Sequence, residues 1–260
     1  MSQPKVSIIT PSFNQGKFIE ETIKSVLAQN YPNIEHIVMD GGSTDNTLEI
    51  LKKYSDRIIW KSEPDRGQTH AINKGFKIAT GKILAWQNSD DTYMSYTVST
   101  VVDFFQKHPE VSMVYGYFNY IDKDSNLLLT KKMINFDYRK FVCGRFTPSQ
   151  PTVFFRKEVL KKVGYLNEKF NYSMDREFYC RIGKEFRITL IPRILGNFRI
   201  YPQSKSGSKK TKLKWNQEFE TIRQTYAPGM LNNLINKYYK YRNRLVYFLK
   251  YKHNFKNHFE

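Results

Sequence analysis

Apolar positions in the first ninety residues follow two alternating rhythms. Val6-Ser7-Ile8-Ile9-Thr10 is a β-branched run stopped by Pro11, which predicts a buried strand. Ile19, Thr22, Ile23, Val26 and Leu27 then recur at helical spacing, giving an amphipathic helix that ends near Asn30-Tyr31-Pro32. The pair of signals repeats. A strand over 34–39 closes at Asp40-Gly41-Gly42, and Ser43 or Thr44 can cap a helix carrying Leu48, Leu51 and Tyr54. Ile58-Ile59-Trp60 is a third strand, followed by a helix over 70–79 and a strand over 83–87. Strands joined by single helices at this spacing need right-handed crossovers, so they predict an open parallel α/β sheet.

Past Asp91 the rhythm changes. A helix over 98–105 leads to a strand over 111–118, and the polar turn at 122–126 returns the chain into Leu127-Leu128-Leu129, an antiparallel hairpin. A strand over 152–155, helices over 157–163 and 174–182, and strands over 188–191 and 194–200 complete a mixed second half. A helix over 215–226 ends at Pro228-Gly229. Beyond it Leu231, Leu234, Ile235, Tyr238, Leu245, Phe248 and Leu249 fall near one helical face, with Lys237, Lys240, Arg242, Arg244 and Lys250 interleaved.

Composition supports a folded chain, with 40% apolar and 15% aromatic residues over 260 positions. The charge changes the picture more. Of the formal net charge of +18, +10 lies in 204–260, where 13 Lys and Arg face 3 Asp and Glu. Such asymmetry predicts a polyanion or an anionic membrane surface as the partner of the C-terminal end, 229–260 in particular. Packing of that helix on the body or on a partner subunit, which would allow an oligomer, accounts for the same pattern. Cys143 and Cys180 have neither metal-ligand spacing nor a disulfide framework, which fits a reducing compartment. No stretch reads as a signal peptide and no apolar run approaches the roughly 20 residues of a membrane span. The expectation is a cytoplasmic protein, peripheral on the inner face of the cell membrane if the basic helix engages it.

The chemistry concentrates where strands end. Pro11-Ser12-Phe13-Asn14, Asp40-Gly41-Gly42, Glu63-Pro64-Asp65-Arg66 and Asn88-Ser89-Asp90-Asp91 each follow a strand. In open α/β sheets those ends share one edge, where ligands bind. Adjacent Asp90 and Asp91 repel each other at the end of an apolar strand. A solvated turn capping the next helix explains them, and so does a divalent cation held by carboxylate and phosphate oxygens. Neither a Gly-x-Gly-x-x-Gly nor a Walker-type loop follows the first strand, which argues against a dinucleotide-binding fold and against a nucleotidyltransferase.

With these segments laid out, the chain resembles the family 2 glycosyltransferases over roughly residues 4–206. The likeness rests on Val6-Ser7-Ile8-Ile9-Thr10-Pro11-Ser12-Phe13-Asn14, Asp40-Gly41-Gly42-Ser43-Thr44-Asp45, Ser62-Glu63-Pro64-Asp65-Arg66-Gly67, and Asn73-Lys74-Gly75 with Ala79-Thr80-Gly81. It continues through Asn88-Ser89-Asp90-Asp91, Pro151-Thr152-Val153-Phe154-Phe155-Arg156, and Phe198-Arg199-Ile200 before Ser204-Lys205-Ser206. The resemblance implies a GT-A fold: a Rossmann-like nucleotide-binding half with a mixed central sheet in one domain (1–206), followed by a helical C-terminal extension (207–260). It implies an inverting hexosyltransferase-type enzyme moving a sugar from a nucleotide-diphosphate donor, UDP foremost, to a saccharide or lipid-linked acceptor in cell-surface polysaccharide synthesis. It also implies residue roles. Pro11, Ser12, Asn14, Asp40, Asp65, Arg66 and Asn73 would bind the nucleotide-sugar together with Asn88, Ser89, Arg199 and Lys205. Asp90, supported by Asp91, would hold Mn²⁺ or Mg²⁺, and Asp175 would be the catalytic base, with Glu177 as its rival. The chain departs from the family twice: Asn88 replaces the first Asp of the DxD motif, and Tyr201 stands where relatives often carry His. These departures and the basic tail favour a second reading, a degenerate GT-A protein acting as a polyanion- or membrane-binding module. Nothing resembles a nucleic-acid-binding module.

Overall fold

The structure, a computed structural model, describes residues 3–144, 146–205 and 211–228. One sheet of nine strands organises it. The parallel part is β1 (Val6–Ser12), β2 (Ile34–Asp40), β3 (Ile59–Ser62) and β4 (Ile83–Trp86) in the order β3-β2-β1-β4. The helices α1 (Ile19–Leu27), α2 (Thr47–Lys53) and α3 (Gln68–Ile78) form the crossovers, as the periodicity predicts. Pairing places Ser12 beside Asp40 and Asp40 beside Ser62, so three strand ends meet on one edge.

Both faces of this sheet are covered, and the side chains sort by the two-residue period of a strand. Ile9, Trp86 and Phe155 point into one core with Phe76, Phe178 and Tyr179, whereas Ile8, Ala85 and Phe154 point into another with Val98, Val101 and Phe105. Ile19 and Ile23 of α1 pack with Val38, Ile50 and Leu51 in a third cluster. Just before β4 the chain passes so close to β1 that a Cβ on Gly81 would stand 2.6 Å from the Ser7 nitrogen and 2.8 Å from the Lys5 carbonyl oxygen. Backbone atoms cannot yield as a side chain can. We expect Gly81→Ala to lower the unfolding free energy by about 1–3 kcal/mol in denaturant titration; an unchanged midpoint would refute that contact.

The second half mixes directions. Thr92–Tyr93 (β5) is followed by α4 (Thr97–Lys107), the hairpin β6 (Val111–Ile121) and β7 (Leu127–Lys131), a short helix α5 (Tyr138–Val142), β8 (Phe154–Arg156), α6 (Val159–Val163), α7 (Met174–Glu185) and β9 (Arg187–Arg199). The sheet continues β4-β8-β6-β9-β5, with β7 on β6. The two strands expected at 188–191 and 194–200 are one. Ile191 pairs with Gly116 and Ile194 with the next residue, Tyr117, so Pro192-Arg193 bulge out of the ladder. A proline is tolerated in a strand at such a bulge. β5 and α5 carried no expectation, being too short for periodicity to register.

The last described helix, α8 (Lys212–Tyr226), follows the boundary expected after residue 206, yet it packs on the body. Ile222 is 1% exposed within the core that holds Trp86 and Phe178, and the Phe219 ring covers the Arg176 guanidinium at 4.5 Å. The basic amphipathic helix expected from Leu231 onward lies outside the described residues. Among those described, no helix is long and apolar enough to cross a membrane.

Candidate active site

The loops after β1 and β2 are sewn together by their own polar groups. Asn14, in the left-handed region at φ 52°, accepts the Thr44 N–H at 2.8 Å, and its own N–H donates to the Ser43 hydroxyl at 2.7 Å. Gly16 donates to Asp45 and Gln15 to Thr47. Asp40, expected to accept from the base of the donor, is fully enclosed. Its carboxylate accepts from the Gly42 and Ser43 N–H groups (3.0 and 2.9 Å) and from the Ser43 and Ser62 hydroxyls (2.5 and 2.6 Å). Four donors surround the carboxylate, three of them on Oδ2, so the visible work of Asp40 is to shape the loop. Asp65 accepts the Gly67 N–H at 2.6 Å and lies against Gly41, where a Cβ would come within 2.7 Å of its carboxylate. Pro11 lies near the end of β1, and beside it the buried Ser12 hydroxyl has no hydrogen-bond partner among the described residues. This orphaned hydroxyl is the group of the set best placed to meet a ligand.

Three more expected ligand contacts are engaged elsewhere. Asn73 is buried and braces the loop after α6, donating to the Leu166 carbonyl and accepting the Leu166 N–H. Arg66 is exposed and pairs with Glu168 at 2.6 Å. The Arg199 side chain is 0% exposed: Nε donates to the Asp90 carbonyl, Nη1 to the Asp122 carbonyl and the Ser125 hydroxyl, and Nη2 to Glu21 at 2.5 Å. It stacks 4.9 Å from the Phe18 ring. A guanidinium so occupied cannot also grip a diphosphate; it clamps the end of β9 to the loop carrying Asp90.

The strand-end carboxylates divide their work. Asp91 is 2% exposed and turned inward, its oxygens accepting the Arg199 N–H at 2.8 Å and the Asn88 amide at 3.1 Å, so of the two carboxylates expected to hold a cation it is the less accessible. Asp90 is partly exposed and receives the Tyr201 hydroxyl at 3.1 Å. Burial pushes both carboxyls above their ordinary range, Asp91 the further because Asp90 stands beside it. Burial and Asp90 together raise the Tyr201 phenol, keeping it a donor. Among the described residues, no group of three or more His, Cys, Asp or Glu could hold a cation alone. A cation completed by diphosphate oxygens fits the donor set: Asp90 offers a carboxylate, and the nearby guanidinium neutralises Glu21 instead.

From Asn88 a polar chain crosses the site. Gln68, at the first turn of α3, donates to the Asn88 amide oxygen at 2.8 Å and accepts from the Lys205 ammonium at 2.8 Å. Lys205 also reaches the Asn171 carbonyl at 3.2 Å. Ser89 is buried beside Asn88. Sequence reasoning missed Gln68 and Glu218; the first directly follows the Arg66-Gly67 motif, but nothing local distinguishes the second. Both line a cleft of about 470 Å³ with Gly67, Asn171, Tyr172, Lys205, Lys214 and Gln217.

Asp175 sits on the first turn of α7, its carboxylate accepting only its neighbour Arg176's N–H, at 2.7 Å, among the described bonds. Burial raises its pKa to about 6. Glu177, the rival base, is 4% exposed and held by Arg181 (2.8–3.2 Å) and by the Tyr226 hydroxyl at 2.7 Å. It ties α7 to α8 and is not available as a base.

The sequence model of Glycosyl transferase family 2 matches residues 7–164. An uncharacterized glycosyltransferase of Mycobacterium tuberculosis is 34% identical over 183 residues, which are 69% of each chain. One of Rickettsia prowazekii is 26% identical over 226 residues, 84% of this chain and 70% of the relative. Among solved structures, residues 1–349 of Staphylococcus aureus TarS in complex with UDP-GlcNAc superpose with a TM-score of 0.67 at 19% identity, covering 94% of this chain and 72% of that one. The chain spans 43% of the longer TarS structure. The mannosyltransferase PcManGT from Pyrobaculum calidifontis, in complex with GDP-Man and Mn²⁺, gives 0.69 at 16% identity, covering 95% and 71%. The fold is the GT-A fold of these glycosyltransferases. With the motifs on the strand ends and more than half the chain matched by the family's sequence model, the protein belongs to glycosyl transferase family 2.

Proposed function

We propose that the protein transfers a sugar from a nucleoside-diphosphate sugar, a UDP-sugar foremost, to a hydroxyl of a saccharide or lipid-linked acceptor with inversion at the anomeric carbon. The observation that carries this reading is Asp175: a carboxylate engaged, among the described bonds, only by its neighbour's N–H, with a pKa raised to about 6, and within the field of Glu218, which lines the same cleft as Lys205 and Gln68. In the reaction the acceptor oxygen bonds to the anomeric carbon as the bond from that carbon to the diphosphate oxygen breaks, and the acceptor proton passes to Asp175. Ser12 and Asp65 flank the nucleotide, while Asn88 and Lys205 border the diphosphate. Asp90 would hold Mn²⁺ or Mg²⁺, which when bound supplies positive charge to the departing diphosphate. The neighbours TarS, solved with UDP-GlcNAc, and PcManGT, solved with GDP-Man and Mn²⁺, support a nucleotide-sugar donor. A place in cell-surface polysaccharide synthesis is part of the same proposal.

The test is nucleotide release from UDP-glucose, UDP-N-acetylglucosamine and GDP-mannose with manganese and with a chelator, followed by NMR of the released or transferred sugar. We expect turnover of at least one donor, with manganese raising the rate, and inversion in the product. Failure to bind or turn over any of them, together with tight binding to anionic vesicles, would favour the polyanion-binding module instead.

A further inference from the structure

The approach to the turn that delivers Asp175 is held from outside that turn. The first N–H groups of a helix have no partner within it, and a side chain at the N-cap usually takes one. Ser173, the residue before α7, makes no such bond, and its buried hydroxyl has no partner among the described residues. Instead one carboxylate from α8 gathers the approach. Glu218 accepts the N–H groups of Asn171, Tyr172 and Ser173, each at 2.8 Å. Successive N–H groups turned inward form a nest for an anion, and here the anion is a side chain more than forty residues further along the chain.

Glu218 is itself fixed. One residue on, Phe219 stacks on Arg176 and on Trp215 (5.4 Å between ring centroids). One turn on, Ile222 enters the core, and at the end of the helix Tyr226 bonds Glu177. Residues 176 and 177 flank Asp175 on the chain side away from the nest, so α8 grips the carboxylate's segment from both directions.

We infer that Glu218 is a positioning residue for Asp175, setting both the place and the electrostatic field of that carboxylate. This rests on the reading of Asp175 as the base. Around Asp175 stand Arg176, Tyr179 and Cys180 on α7 and Glu218 on α8, with Lys205 facing Glu218 from the loop after β9. The like charge of Glu218 adds to the effect of burial on Asp175, and it acts across a contact that also fixes the backbone. α8 lies beyond the segment that the family's sequence model matches, so this role belongs to a part of the chain that the match leaves uncovered.

Glutamine perturbs both effects at once, and two readouts, kcat for the place and the pH limb for the field, tell them apart. It keeps the size, removes the charge and replaces one acceptor oxygen by an NH₂ that cannot receive the Asn171 N–H. In the full chain, with whichever of the three donors turns over fastest, Glu218→Gln is expected to lower kcat about 10- to 100-fold per nucleotide-binding site, because displacement of about 1 Å costs on that order. The ascending limb of its kcat/KM profile should move to lower pH, since a like charge near Asp175 is gone. The donor KM should change little. Glu220→Gln removes a charge from the same helix, on the residue that pairs with Arg223, and should leave kcat and the limb where they are. A Glu218→Gln enzyme with full kcat per site and an unmoved limb overturns the inference, as does an equal effect in Glu220→Gln. If Glu218→Gln folds poorly, UDP or GDP titration counts the folded fraction, and kcat per folded site is compared in the same way. Should Asp175→Asn retain turnover, the base assignment fails; a silent Glu218→Gln beside a dead Asp175→Asn removes only the positioning role.

Discussion

Asp175→Asn is expected to cut turnover by about two to four orders of magnitude and to stabilise the protein in the same stroke. A positioned base contributes about 10²–10⁴-fold to the step it serves, so kcat should fall by that factor while UDP or GDP titration shows donor-site binding intact. The stability effect follows from the sign of the shift. The folded state holds the Asp175 proton up to about 6 against 3.8 for the ordinary carboxyl. A carboxyl raised on folding costs no stability below the lower value, costs progressively more as pH rises between the two, and carries the full cost above the higher. Asparagine cannot ionise and can still accept the Arg176 N–H, so above about pH 7 it should unfold later by on the order of 1–3 kcal/mol. In strong acid the two proteins should melt together. Wild-type kcat/KM should rise with pH through the region near 6 as the base is deprotonated. Near-normal turnover by the variant, or a gain in stability in acid alone, would sink the assignment.

The second large effect concerns Arg199. Replacing it by methionine removes four hydrogen bonds from a side chain with no solvent contact and leaves the Asp90 carbonyl without its donor, while the Asp122 carbonyl keeps only the Ser125 N–H among the described bonds. Glu21 is 45% exposed and rehydrates when the guanidinium goes, so the cost comes from the lost charge-assisted bonds and the unpaired Asp90 carbonyl, about 2–4 kcal/mol, and at about 2–4 °C per kcal/mol for a chain of this size the melting temperature should fall by roughly 10 °C. Lysine should not rescue it, because a single ammonium cannot reproduce a fork that bonds three separate segments. Differential scanning calorimetry decides; a lysine variant that melts with the wild type would refute the clamp.

Arg199 also illustrates what could be read from the sequence. The parallel half was legible because each strand and crossover helix carries its own period, and the four polar strand ends do converge as the sheet requires. Which polar atoms face a ligand was not legible. Asn73 and Arg199 are occupied by partners distant in sequence, Leu166 for the first and Glu21, Asp90 and Asp122 for the second, whereas Asp40 is taken up mostly by its own loop and Asp91 by both Asn88 and Arg199. Spacing reports position along a strand, not the partner that reaches it from elsewhere. Glu218 was unreadable for the same reason, and β9 was split in two because Pro192 interrupts its pattern, although the strand resumes the same ladder past the bulge.

Asn88 looked like an eroded aspartate when seen as one letter in a motif. Its amide, however, donates to the inward-turned Asp91 and accepts from Gln68 at once. Aspartate in its ionised form can do only the second. Once the neighbouring Asp91 is committed to the interior, a neutral side chain of this shape lets the four consecutive polar positions coexist without a third carboxylate. In that light the substitution records a redistribution of labour along Asn88-Ser89-Asp90-Asp91, and a scan that scores the motif by its carboxylates alone would overlook the bonds this arrangement makes.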